Sequence, residues 1–357
     1  MLMQTHEARL DALRTELDKR GLDGFVIPIS DEHMSEYVGS YAQRLNWLTG
    51  FGGSAGSAAV LREKAAMFTD GRYTVQVREQ VDGKLFDYED VPATSPAKWI
   101  AANAPEGAKI GYDAWLHGVD WAEQAEKLFS KKGIELVPVD GNPIDAVWAD
   151  RPQPSLEAAV PHDDKFAGRS SADKRAEVAD WLKTEGYDAT VITALDSVAW
   201  LLNMRGVDVD NTPVALSYVL AHADGTAELF IAPEKVTPEL TQHLGNAVRV
   251  RDRADFEPAL AALQGKIVAV DPKHAVAGIF HALEQGGAKV VRDSDPAVMP
   301  KAIKNPAEQQ GHRDAQARDG AAVVKYLRWI EENAPSARST NSPLQPSCAN
   351  SAASAPI

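Results

Sequence analysis

Apolar residues change period several times along the chain. Leu10, Leu13 and Leu17 recur at helical spacing and Gly21 ends the run, which predicts a first helix. Residues 24–27 (Gly-Phe-Val-Ile) then read as a strand closed by Pro28. Two short apolar runs, 57–61 and 65–68, flank the charged tripeptide Arg62-Glu63-Lys64 and predict a β-hairpin. Thr69-Asp70-Gly71-Arg72-Tyr73 marks the turn after it, leading into a helix. Beyond, 86–91 reads as strand, 97–102 as helix and 109–112 as strand; 119–132 reads as a helix stopped by Gly133, and 135–139 as strand.

The pattern then starts again. Residues 174–192 echo 9–27: Gly186-Tyr187-Asp188 stands for Gly21-Leu22-Asp23, and Val191-Ile192 for Val26-Ile27. Asp196 matches Asp31, and Trp200-Leu201 matches Trp47-Leu48. A recurrence so widely spaced is no solenoid repeat but two domains of one α/β or mixed-sheet fold. The expected organisation is domain I over 1–150, a proline-broken polar linker over 151–163, and domain II over 164–304. Asn305-Pro306-Ala307-Glu308 supplies an N-cap, a proline at the first helical position and a nearby acid, so 305–335 is expected to be helical. Val323, Leu327 and Ile330 share one face of that helix, with Trp329 beside them as an apolar anchor. Residues 336–357, rich in Ser, Ala and Pro and without an acid, are expected to be disordered.

Composition narrows the classes of function. A net charge of -14 argues against a nucleic-acid or anionic-membrane surface. No apolar run is long enough to span a bilayer, and the start lacks the layout of a signal peptide, so a cytoplasmic protein is expected. The single cysteine, Cys348, excludes an intramolecular disulfide and thiolate metal sites.

Three patterns carry candidate chemistry. Gly50-x-Gly52-x-x-Ala55 fits a relaxed dinucleotide fingerprint, but a strand rather than a helix follows it, so glycines shaping a turn is the stronger reading. The nine histidines form no zinc pattern; His33 with Asp31 and Glu36 is the best metal candidate, against the ordinary reading of a solvated loop. Asp208-x-Asp210 matches only the opening of a calcium loop and reads as a turn.

Taken together, these runs resemble the amino-terminal portion of Xaa-Pro aminopeptidases (aminopeptidase P), of the long cytosolic kind with two creatinase-like domains. The resemblance is carried in order by residues 30–37 (Ser-Asp-Glu-His-Met-Ser-Glu-Tyr), 50–56 (Gly-Phe-Gly-Gly-Ser-Ala-Gly), 69–73, 148–152 (Trp-Ala-Asp-Arg-Pro), 193–203 and 205–208 (Arg-Gly-Val-Asp). It implies two tandem mixed six-stranded sheets flanked by helices, then a third domain of "pita-bread" form. There the family holds two divalent ions, usually manganese, between two Asp, one His and two Glu. It also implies proline-containing peptides as substrates and a homodimer.

The likeness stops near Ser336, after the opening helix of that third domain. The resulting expectation is a truncated or frame-shifted family member, without catalytic residues, metal ligands or cofactor of its own. The alternative is a non-catalytic dimerisation or interaction module. Arg72 is the one functional candidate: the resemblance puts it at the rim of the catalytic cavity, while the residues equally allow an arginine paired with Asp70 or with backbone carbonyls.

Overall fold

The computed structural model describes residues 5–333. The first helix, His6–Lys19, begins where the Thr5 side chain accepts from Ala8 N–H and ends before Gly21, whose φ of 68° suits a residue without Cβ. Its three leucines are buried at the back of the first sheet.

That sheet contains β1 (Gly24–Pro28), β2 (Gly56–Leu61), β3 (Ala65–Thr69), β4 (Asp87–Asp90), β5 (Lys109–Tyr112) and β6 (Glu135–Pro138), in the order β4-β3-β2-β1-β5-β6. The expected hairpin is β2–β3, closed by Leu61 N–H to Lys64 O at 2.8 Å. Next come a two-stranded pair, β7 (Val160–Pro161) and β9 (Met204–Arg205), and a second six-stranded sheet. Its strands are β8 (Ala189–Ile192), β10 (Ser217–His222), β11 (Ala227–Ile231), β12 (Val248–Asp252), β13 (Ile267–Val270) and β14 (Lys289–Arg292). Their order, β12-β11-β10-β8-β13-β14, repeats the first sheet strand for strand, with the same parallel and antiparallel pairings.

The echo seen in sequence reaches individual hydrogen bonds. Asp23 takes Lys109 N–H on Oδ2 at 2.8 Å, and Asp188 takes Ile267 N–H in the same way at 2.8 Å. Each acid thereby starts the parallel pairing of its sheet. The match of Asp196 to Asp31 holds in register but not in environment: Asp31 is fully buried in a loop, whereas Asp196 is exposed in the first turn of a helix.

The stretch read as a linker, 151–163, contains one short element. Residues 152–158 have no regular structure and Val160–Pro161 forms a strand; the short helical turn Asp164–Ala167 follows just past the stretch. Proline is tolerated in that strand because a two-stranded ribbon leaves one side of each strand unpaired.

By contacts, both sheets belong to one compact unit, residues 5–161 with Ser171–Val298. A single apolar cluster joins Tyr112, Val119 and Ala122 of the first half to Phe256, Val270 and Phe280 of the second. Backbone bonds cross the junction: Ala277 N–H to His117 O and Gly278 N–H to Ala114 O, both 2.7 Å. Gly278 permits this approach, since a Cβ there would lie 2.9 Å from the Trp115 ring.

A second unit holds His162–Ser170 and residues 299–333. In it the helix Pro306–Asn333 opens with a full capping box: Asn305 Oδ1 accepts from Ala307 and Glu308 N–H at 3.0 Å, and Glu308 Oε2 accepts from Asn305 N–H at 2.9 Å. Val323 and Leu327 on its apolar face are exposed, while Trp329 and Ile330 are half-buried. The expected tail 336–357, and the last two residues of the expected helix, lie outside the described residues. No helix among the described residues is long and apolar enough to cross a membrane.

Candidate functional site

The glycine-rich block builds a tight surface turn. Gly50, at φ 83°, caps the helix Arg44–Thr49, and Gly56 opens β2, so no helix N-terminus is offered to a phosphate. A Cβ on Gly53 would fall 2.4 Å from Phe51 Cζ and 2.8 Å from the Tyr73 ring. The glycines therefore let Phe51 and Tyr73 close around the backbone, with Tyr73 OH and Ser54 Oγ at 2.8 Å. Arg72 stands beside them, its side chain 63% exposed. It grips Asp70 with Nε on Oδ1 at 3.0 Å and Nη2 on Oδ2 at 2.7 Å, and lies 5.2 Å from the Tyr73 ring. The local pairing read from sequence is present; only the outward face of the guanidinium is available for anything more.

His33 corrects the sequence reading. It is not a solvated loop residue but 3% exposed, at the junction of the two sheets. Asp31 Oδ1 accepts from the N–H groups of His33 and Ser35 at 3.0 Å and fixes the loop, leaving Asp31 Oδ2 buried without a partner. Glu36 is exposed and outside the cluster; the acid that joins it is Glu32. His33 Nδ1 lies 2.9 Å from Thr193 O, which can only accept, so Nδ1 carries the proton and Nε2 faces an Arg253 N–H at 3.3 Å. The ring stacks on Tyr218 at 4.4 Å, and Tyr218 on Phe256 at 4.0 Å. Burial holds the imidazole below its ordinary pKa despite Glu32 and Asp31.

Arg253 closes the junction by pairing with Glu32, which also accepts from Tyr41 OH at 3.0 Å. Burial alone would raise the Glu32 carboxyl, but the facing guanidinium outweighs it and holds the pKa at about 2. Alongside, Arg44 grips Asp145 bidentately at 2.8 Å through Nε and Nη2, and Arg151 reaches the same carboxylate at 2.8 Å. In the second half Lys235 Nζ donates to Asp208 Oδ1 at 2.6 Å, and Leu216 N–H to Oδ2 at 2.7 Å. Asp208 is thus a buried ion-pair partner, whereas the turn expected around it does form, with Thr212 N–H on Val209 O at 3.1 Å.

These groups border a cleft of about 730 Å³ between the sheets, whose walls include Glu32, Arg44, Trp115, Arg151, Tyr218 and Arg253. Sequence reasoning touched this cleft only through the runs 30–37 and 148–152, which contain Glu32 and Arg151, and singled out neither residue. Arg253 lies 220 residues from His33, and nothing in the spacing announces the pairing.

The donor set does not suit a dinuclear metal centre. Among the described residues no group of three or more His, Cys, Asp or Glu could hold an ion. Both His33 nitrogens are already engaged.

Comparison with known proteins agrees with this layout. Two family models, each described as the creatinase/prolidase N-terminal domain, match residues 9–147 and 150–308. Aminopeptidase P1 of Arabidopsis thaliana is 34% identical over 340 residues, covering 87% of this chain and 52% of the relative. A probable Xaa-Pro aminopeptidase P of Aspergillus clavatus is 35% identical over 336 residues, covering 90% and 51%. The crystal structure of the Caenorhabditis elegans X-prolyl aminopeptidase, described as a cytosolic enzyme with a di-nuclear active site, superposes with a TM-score of 0.91 at 27% identity. That superposition covers 98% of this chain and 60% of the other. The chain spans about half the length of the curated relatives it matches.

Proposed function

The chain belongs to the creatinase/prolidase N-terminal domain family, with that domain built twice, and from this premise we propose that it supplies the two amino-terminal domains of an Xaa-Pro aminopeptidase. Enzymes of this class release the first residue of peptides with proline second. The observation that carries the reading is the backbone agreement with the X-prolyl aminopeptidase over 98% of the chain. A bond to proline has a nitrogen without hydrogen, so its hydrolysis calls for a dedicated site. The described residues hold no metal cluster, and residues 1–4 and 334–357 contain no His, Asp or Glu. We therefore assign these domains no step of the hydrolysis. Their role is to present a preformed surface, with Arg72 at the rim of a peptide cavity. Its exposed cation, held in place by Asp70, supports that role.

Manganese as the family ion, a cytoplasmic location and a homodimer belong to the same proposal. Self-association is favoured by the exposed Val323, Val324 and Leu327, which keep open the second reading of a non-catalytic interaction module. The test is direct. The purified 357-residue chain, incubated with an Xaa-Pro peptide and manganese, should release no more product than a metal-free control. Turnover above that control would refute the assignment. Light scattering then addresses association, and a strict monomer at all concentrations counts against the dimer and the module alike.

A further inference from the structure

We infer that the cleft between the two sheets is a binding site for a small organic carboxylate with an apolar body. The inference stands apart from the aminopeptidase reading, because it uses only residues that reading leaves without a task. A volume of about 730 Å³ suits a small molecule rather than a few waters.

One corner of the cleft places two guanidinium groups side by side. Arg44 and Arg151 both bind the single carboxylate of Asp145. Arg44 is 7% exposed, and its Nη1 is buried with no hydrogen-bond partner. Arg151 uses Nε on Tyr41 O and Nη1 on Asp145, which leaves Nη2 without a hydrogen bond among the described residues, on a side chain 27% exposed. An incoming carboxylate would take a charge-assisted bond from Arg151 Nη2, with the buried Arg44 guanidinium adding its positive charge behind it.

The other acids of the walls do not compete for those donors. Glu32 is held by Arg253 and Tyr41, and Asp113 by Asn142 Nδ2 and Trp115 N–H at 2.9 Å. Glu257 stands exposed at the cleft and would repel a second negative charge, which favours a monoanion over a phosphate chain. Trp115, Phe256 and Leu156 supply apolar surface for the rest of the molecule.

Entry is provided by the connecting segment. It is anchored by Arg151 at one end, and at the other by Lys235, which bonds Glu157 O through Nζ at 3.3 Å and Ala159 N–H through its carbonyl at 3.0 Å. Among the described residues, the single hydrogen bond made by 152–156 is internal, Glu157 N–H to Ser155 Oγ. Leu156, on this strap, is 52% exposed.

The test is calorimetric titration of the full chain with 4-phenylbutyrate and with the uncharged 4-phenylbutanamide. Saturable binding of the acid, with the amide about tenfold weaker or worse, is expected. Arg151→Gln should weaken the acid about tenfold. Because Arg151 also braces Tyr41 and Asp145, Leu156→Glu provides a second variant: it adds an acid to the strap and breaks no hydrogen bond. It should weaken 4-phenylbutyrate with the melting temperature unchanged. The absence of saturable binding, equal affinity for acid and amide, or full affinity in Leu156→Glu would each overturn the assignment.

Discussion

The two sheets share a strand order and differ in what they bury. Near the start of each, a cation on the first helix reaches the same tryptophan of the repeat. Arg9 donates to Trp47 O and lies 5.1 Å from its ring, while Lys174 donates to Trp200 O at 2.9 Å and lies 4.5 Å from its ring. Arg9 remains partly exposed, whereas Lys174 is 1% exposed and also bonds Asn203 Oδ1 at 2.6 Å. Lys235, in the same half, is buried on Asp208. Both halves bury polar groups, but the glycine turn and the Arg72–Asp70 pair at the surface belong to the first half, and the fully buried lysines Lys174 and Lys235 to the second. A repeated backbone thus tolerates different polar chemistry, provided each buried charge finds a partner.

The largest effect should come from breaking that interior. Lys235→Met leaves the Asp208 carboxylate buried and should cost about 3–5 kcal/mol in denaturant unfolding, with Lys235→Met/Asp208→Leu restoring much of it. A loss well under 1 kcal/mol would mean that the pair is no structural element.

Next in size is a contrast in pH response. His117 donates Nδ1–H to Asp113 O, lies 4.1 Å from Trp121, and is pushed down to about 4 by burial. Its folded pKa is below the unfolded value, so its contribution is present above about 6.5 and is lost as pH falls toward 4, to the extent of about 3 kcal/mol. His274, in the corresponding loop of the second half, bonds Asp271 Oδ2 at 2.9 Å, and that bond raises it. Its contribution is present below about 6.5 and is lost as pH rises through the raised value. His117→Gln should flatten the acid limb of the stability curve, and His274→Gln the limb on the other side. Slopes unchanged in both variants would contradict the assignment.

A smaller effect distinguishes the sheets themselves. Gly24 in β1 corresponds to Ala189 in β8, yet a Cβ at Gly24 would meet Val60 O at 2.7 Å. Gly24→Ala should therefore cost about 1–3 kcal/mol through overpacking, although the second sheet carries alanine at that position. The smallest effect is reserved for Arg72→Ala, which should leave the melting temperature unchanged because the pair is exposed. A drop of several degrees would make Arg72 a structural residue and weaken its assignment to a cavity rim.

Much of this architecture is legible in the sequence. The leucine spacing gave the first helix, the Arg62–Lys64 interruption the hairpin, and the Gly-x-Asp recurrence the second sheet, because each is a local signal with a fixed period. Arg72 and Asp70 are two residues apart, so their pairing could be anticipated. The junction could not. His33 meets Thr193, Tyr218 and Arg253 only after two sheets have formed and docked, and a histidine flanked by acids looks the same in sequence whether it is solvated or sealed. Short helices such as Arg44–Thr49 and Pro143–Val147 were also silent, being too brief to show a period.

The central claim is that these two domains form a platform without a metal centre of their own. It is tested most directly by elemental analysis of the purified 357-residue chain after equilibration with manganese and desalting. The account predicts far less than one ion per chain. Two tightly held ions per chain would contradict it.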